Sequence, residues 1–198
     1  MGFLTPHKPI VRTKGRKLPH WFQEGCTVFV TGRLADSLPE AAHRRWRVRQ
    51  RNWLASHGVD TRDPAWREAF AALPGDVRRA FHEAFSAGFQ DLLDQGHGAC
   101  LLREPAVAGV VEEAMTHFDR RRYLLGERVL AGNHFHALLT PLPGFDATRE
   151  VTLWKRITAK RIHALRGTAG RVWQPEAYDR LVRDAKRLAK IQAYIAAH

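Results

Sequence analysis

Along the chain, apolar and polar positions change period several times, and each change predicts an element. In "CTVFVTGRL" (26–34), Thr27, Phe29 and Thr31 alternate with Val28 and Val30, which predicts a first strand. The period then lengthens to that of a helix. Asp36 and Ser37 are candidate caps for a helix running to about His57, where Gly58 stops it. "DPAWREAFAAL" and "PGDVRRAFHEAFSAGFQDLLDQG" predict two more helices. In the second, Val77, Phe81, Ala84, Phe85, Phe89 and Leu92 keep one apolar face. A helix from about Pro105 to Phe118 carries Val107, Val110, Val111, Ala114, Met115 and Phe118 on one stripe, with Pro105 suited to its first turn. "RYLLGERVLAG" and "NHFHALLTPLP" are extended segments that meet around Gly132 and predict an antiparallel hairpin. Residues 146–167 predict a basic amphipathic helix with Val151, Trp154, Ile157, Ile162 and Leu165 on one side. "GRVWQPEAYDRLVRD" reads as a short strand or loop. A last helix starts near Asp184 with Leu188, Ile191 and Ile195 as its stripe. Strands separated by helices, with a hairpin in the middle, predict an α+β sheet covered by helices on one face.

The chain has 198 residues, enough for one domain with a proper core. We expect a basic flexible arm over 1–20 and a single domain over 21–198, with 38–100 as a helical insertion. No apolar run is long enough for a membrane span, and the N-terminus lacks the apolar core of a secretory signal. Cys26 and Cys100 are far apart and read as reduced thiols, which fits a cytoplasmic protein. Net charge is +12 and unevenly placed: residues 1–20 carry +5, residues 149–198 carry +8, and the middle carries −1. Charge segregated in this way favours a polyanionic partner, nucleic acid first.

His134 and His136 raise the question of chemistry. On a strand, positions two apart share a face, about 6.8 Å apart along the chain. Both imidazoles then look one way and Phe135 looks the other, toward the helix-covered core. Neutral imidazole is a common metal ligand. The plain alternative is two partly exposed histidines on a strand. Asn133 stands immediately before the pair, and Tyr194 lies among basic residues on the final helix.

Five blocks occur in one order: "WFQEGCTVFVTGRLADSLP", "HFDRRRYLLGERVLAGNHFHALLTPLPG", "LWKRITAKRIHALRG", "VWQPEAYDRLVRD" and "IQAYIAAH". Together, over roughly residues 18–198, they resemble the REP-associated tyrosine transposases. These belong to the single-tyrosine transposases with a His-hydrophobic-His motif. The resemblance implies a ferredoxin-like core, with a helical insertion after the first strand and a C-terminal helix carrying the tyrosine. It places the motif on His134, Phe135 and His136, and the nucleophile on Tyr194. It also implies a divalent cation, Mg²⁺ or Mn²⁺. Enzymes of this kind cleave and rejoin single-stranded DNA beside hairpins, such as repetitive palindromic elements, through a covalent 5′-phosphotyrosine. Such a protein would be cytoplasmic and nucleoid-associated, as a monomer or a homodimer. Two departures stand out. Gly32 occupies a first-strand position where an aromatic is usual, which would thin the core or open a groove. Ala131 and Gly132 replace a Met-Pro pair before Asn133, and Gly132 loosens the hairpin.

The chemistry is coherent with these residues. A cation on the histidines would offset the charge that builds on a phosphodiester under attack. A phenol of ordinary pKa, about 10, needs help to become a nucleophile near neutrality. His198 lies one helical turn beyond Tyr194 and is a candidate third ligand; a frayed terminal residue is the alternative. Tyr178 is the rival tyrosine, expected to pack in the strand region before the last helix. Candidate nucleic-acid contacts are Lys155, Lys160 and Arg161 on the basic helix, Trp173 as a stacking platform, and Lys14, Arg16 and Lys17 in the arm. His20 and the remaining histidines read as surface or loop residues. Two other functions stay open: a hairpin-binding protein without catalysis, and an unrelated metal-dependent hydrolase that uses water.

Overall fold

The structure, a computed structural model, describes residues 2–14 and 19–198. The chain divides into two compact units. One combines the residues up to Ser37 with Ala99–His198, and the other is Leu38–Gly98.

The first unit holds the sheet. Strands β1 (Val11–Lys14) and β2 (Pro19–Phe22) pair antiparallel within the segment expected to be a loose arm. The neighbouring chain is tied down as well. Leu4 N–H donates to the Val182 carbonyl, and the buried Gln23 side chain bonds both the N–H and the carbonyl of Thr5. His20, expected at the surface, is buried on β2, and its Nδ1 lies 2.7 Å from Asp179 Oδ1.

Four strands form the main sheet: β3 (Val28–Arg33), β4 (Tyr123–Leu130), β5 (His134–Pro141) and β6 (Tyr178–Leu181). Their order is β4-β5-β3-β6 and every pair is antiparallel. With the helices that join them, this is the ferredoxin-like arrangement. Its helices are α4 (Pro105–Thr116), between β3 and β4, and α5 (Ala147–Arg166), between β5 and β6. Both pack on one face. Val28 and Val30 of β3 and Phe135, Ala137 and Leu139 of β5 meet Val107, Val111 and Met115 of α4 and Val151, Trp154 and Ile162 of α5. A final helix, α6 (Ala185–Ala196), lies on the opposite face. There Ile191 and Ile195 pack with Phe29, Leu138 and Val182. Asp146 and Asp184 cap α5 and α6 by accepting from the N–H groups of Arg149 and Arg187.

The core line of α5 differs from the predicted stripe. Ile157 and Leu165 are exposed, and Thr158 is buried in their place. A polar residue is tolerated there because its hydroxyl is used twice. It donates to the Trp154 carbonyl at 2.7 Å and accepts from Trp173 Nε1 at 2.9 Å. A second buried relay ties α4 to the sheet. Tyr123 donates its hydroxyl to the Met115 carbonyl at 2.7 Å and accepts from Trp154 Nε1 at 3.0 Å.

Gly32 faces Phe135 across the β3–β5 pair. A Cβ at Gly32 would lie 2.2 Å from Cε1 of that ring. No groove opens at this glycine, because the Phe135 ring occupies the space. It also packs against Trp154 and Trp173, at centroid distances of 6.3 and 5.5 Å. The aromatic missing from β3 is thus supplied by β5.

The second unit carries α1 (Glu40–Ser56), α2 (Trp66–Ala72) and α3 (Gly75–Asp94). Rings of Trp53, Phe70, Phe81 and Phe85 form its aromatic cluster, with centroids about 5–6 Å apart. The expected caps of α1 do not cap it. The helix begins after Pro39, and Asp36 instead accepts from the Ala99 N–H.

Candidate active site

β5 is a central strand, flanked by β4 and β3, and all eight of its residues are buried. A strand covered on both faces reads as a near-continuous apolar run, and His134 and His136 interrupt that run. Neither histidine has any exposed surface, so the reading of two partly exposed histidines fails. Alternation turns Phe135 into the core under α4 and α5 and turns both imidazoles to the α6 face.

The two rings lie with centroids 4.6 Å apart. Neighbouring side chains set the orientation of each. Asn133 Oδ1 accepts from Nδ1 of His134 at 2.7 Å, which leaves the Nε2 lone pair of His134 for another partner. Nδ1 of His136 pairs with the Thr31 hydroxyl at 2.8 Å, from the adjacent position on β3. Phe29, one pleat along, stacks on the His136 ring at 5.2 Å.

α6 brings the remaining groups. Tyr194 lies in the last turn of α6 and His198 two residues past its end, with ring centroids 4.7 Å apart. The Tyr194 hydroxyl lies 3.2 Å from Nε2 of His136. The His198 ring sits 5.8 Å from that of His134 and 5.4 Å from that of His136. Ligand atoms of the three histidines lie within 4.8 Å of one another. His198 therefore stands with the pair, not apart from it.

Electrostatics favour neutral imidazole here. His136 is pushed down from 6.5 to about 2, first by burial and then by the proximity of His134 and His198. A metal ligand must be neutral imidazole, and three nitrogens converging on one small volume suit a divalent transition ion. Of the two cations expected, Mn²⁺ fits this donor set better than Mg²⁺, which prefers oxygen. The Nε2 lone pair of His136 serves one partner at a time, so the tyrosine hydroxyl and an ion are alternatives at that atom.

The expected nucleic-acid contacts are scattered. Lys155 is buried, donates to the Pro175 carbonyl at 3.0 Å, and has its pKa lowered to about 8 by burial and then by Arg33. Trp173 is also buried, its indole N–H committed to Thr158, and has no face left for a base. Lys160 is exposed on α5. Arg161 is exposed too, but is paired with Glu113 at 2.6 Å. Lys14 ends β1; its side chain, together with Arg16 and Lys17, lies outside the described residues. Sequence reasoning missed Thr31 and Phe29 as site residues. Their position follows from strand register, which periodicity does not reveal.

Among the described residues, no helix is long and apolar enough to cross a membrane. No family model matches the chain, and no curated protein matches it. One similar solved structure is that of a REP-associated tyrosine transposase bound to a REP hairpin. It shares 14% identity with this chain, with a TM-score of 0.49, over 92% of this chain and 70% of that one.

Proposed function

We propose that the protein is a single-stranded DNA endonuclease and strand transferase that acts at hairpin-flanked sites through a covalent 5′-phosphotyrosine on Tyr194. The observation that carries this reading is the Tyr194 hydroxyl, 3.2 Å from His136 Nε2 in a cluster of three histidines. A structural tyrosine has no need of three imidazoles around it, and a hydrolase using water has no need of the tyrosine.

In this reading Tyr194 Oη attacks the phosphorus. The bond to the 3′ oxygen breaks, the 3′-hydroxyl departs, and the 5′ phosphate stays on the tyrosine. A second DNA 3′-hydroxyl reverses the step without an external energy source, because one phosphodiester replaces another. In the metal-free site His136 Nε2 holds the phenol, but it is no general base, since an imidazole of pKa about 2 is a poor match for a phenol near 10, and a cation would take the phenol's place at that atom. His134, His136 and His198 would hold the divalent cation. When bound, the cation supplies positive charge that stabilises both the phosphate under attack and the phenolate. Asn133 and Thr31 keep the two buried rings in register for that role.

The test is a denaturing gel of protein mixed with single-stranded hairpin oligonucleotides and Mn²⁺. A slower, DNA-bearing protein band is expected, and it should vanish with EDTA, Tyr194→Phe or His134→Ala. Cleavage without that band would replace this reading with a water-using hydrolase. Hairpin binding with neither band nor cleavage would leave a binding protein without chemistry.

A further inference from the structure

The α6 face of the sheet continues past the histidines toward β6. Thr31, which bonds His136, faces Tyr178 across the β3–β6 pair, and Phe29 faces Arg180. Tyr178 and Arg180 therefore share the face that carries His136. Two strand spacings put Tyr178 about 10 Å from His136 across the sheet. Tyr178 lies in the strand before the last helix, as expected, and is 37% exposed, so it has a ring face available.

Basic residues gather at the same place. Arg183 is exposed in the turn after β6, and Arg187 lies in the first turn of α6. Arg187 and Tyr194 are seven residues apart, two helical turns, so they share a stripe about 10.5 Å long. None of the three guanidiniums forms an ion pair among the described residues. The nearby carboxylate, Asp184, is already the cap of α6. Burial, then Arg180 and Arg183, push the Arg187 pKa down, against opposing effects of Tyr178 and Asp184, in keeping with three like charges set close together along β6, its turn and α6. Crowded arginines beside an exposed aromatic ring raise the energy of the free protein, and an extended polyanion with stackable bases would relieve that cost.

We propose that Tyr178, Arg180, Arg183 and Arg187 form a track for single-stranded nucleic acid leading to Tyr194. A base stacks on Tyr178, and backbone phosphates lie on the three arginines. The track rests on the nuclease reading for its direction, but it binds by itself.

The test measures fluorescence anisotropy of a labelled single-stranded oligothymidylate against salt, without added metal. For Arg180→Ala/Arg183→Ala, the slope of log K against log salt should become shallower by about 1.4, and adding Arg187→Ala should bring the change to about 2.1. Tyr178→Ala should weaken binding about tenfold, whereas Tyr178→Phe should keep it. The double variant changes only exposed side chains, so folding does not confound it; an unchanged melting curve checks this. Tyr194→Phe and His134→Ala should bind like the parent. If no adduct ever forms but the arginine and Tyr178 variants weaken binding, the nuclease reading fails and the track stands. If adducts form while the slope is unmoved by the arginine variants, the track is wrong. Equal or tighter binding to duplex DNA, with Tyr178→Ala silent, would also overturn it.

Discussion

Gly32→Ala is a one-carbon change whose outcome depends on Phe135. In an extended strand, replacing glycine by alanine ordinarily stabilises by about 0.4–1 kcal/mol, because the unfolded chain loses freedom. Here the new methyl would sit 2.2 Å from Cε1 and 2.3 Å from Cζ of Phe135. Carbon atoms rest at about 3.5 Å or more, so the ring must retreat by about 1.3 Å. It cannot do so cheaply. Phe135 is buried, with Trp154 and Trp173 beside it at 6.3 and 5.5 Å. Overpacking of this kind costs about 1–3 kcal/mol, which outweighs the entropic gain. We expect a net loss of about 1–2 kcal/mol, read in urea denaturation as a lower midpoint at unchanged slope. A cycle with Phe135→Leu isolates the cause. The smaller side chain frees space for the methyl, so the double variant should lose less than the sum of the singles by about 0.5 kcal/mol or more. A Gly32→Ala protein as stable as the parent, or an additive cycle, would refute the idea that the Phe135 ring fills the place of a side chain on β3.

Three more outcomes follow. Tyr123→Phe leaves the Met115 carbonyl and the Trp154 indole N–H without their shared hydroxyl, and should cost about 1–3 kcal/mol in the same denaturation assay. Lys155 has a folded pKa near 8, below the unfolded value of about 10.4, so between those values the unfolded state holds more protons and stability rises with pH. Melting temperature should therefore climb from pH 8 to pH 10 relative to Lys155→Met, and a flat difference would contradict the burial of that ammonium. Mn²⁺ should raise the melting temperature, by about 2.7 kcal/mol of stability at a hundred times its Kd. His134→Ala should erase the effect. His198→Ala should weaken it while leaving the metal-free melting temperature unchanged.

Much of the fold is legible along the chain because local chemistry and tertiary context agree. Asp146 and Asp184 mark helix starts that the structure uses, and the hairpin around Gly132 stands where alternation and breakers place it. The basic helix is less legible. Its composition predicts that Lys155 reaches solvent and that Ile157 is covered, yet packing rotates Lys155 and Thr158 inward. Both are accommodated only because distant carbonyl and indole groups bond them, and those partners cannot be read locally. At the site, the spacing of His134 and His136 and the four-residue step from Tyr194 to His198 state which groups share a face. That the two faces meet depends on α6 crossing the sheet. The roles of Thr31, Phe29 and Tyr178 depend on which residue of β3 stands opposite which residue of β5 and β6. Pairing register is a long-range property, and no short window contains it.

The three-histidine cluster is built from parts with different lifetimes. His134 and His136 ride on a strand paired on both sides, with Phe135 anchored between two tryptophans. Their amides should exchange with deuterium only when the whole sheet comes apart. Tyr194 rides on α6 and His198 follows just past it, and this twelve-residue helix is held mainly by Ile191 and Ile195. Such a helix can lift away at much smaller free energy, exposing its amides long before those of β5. Tyr194 is thus hinged to a fixed anvil. In the proposed reaction, a tyrosine bearing a covalently attached strand would swing out with α6 while His134 and His136 stay in place, and the same motion would offer a route by which one DNA end leaves and another arrives.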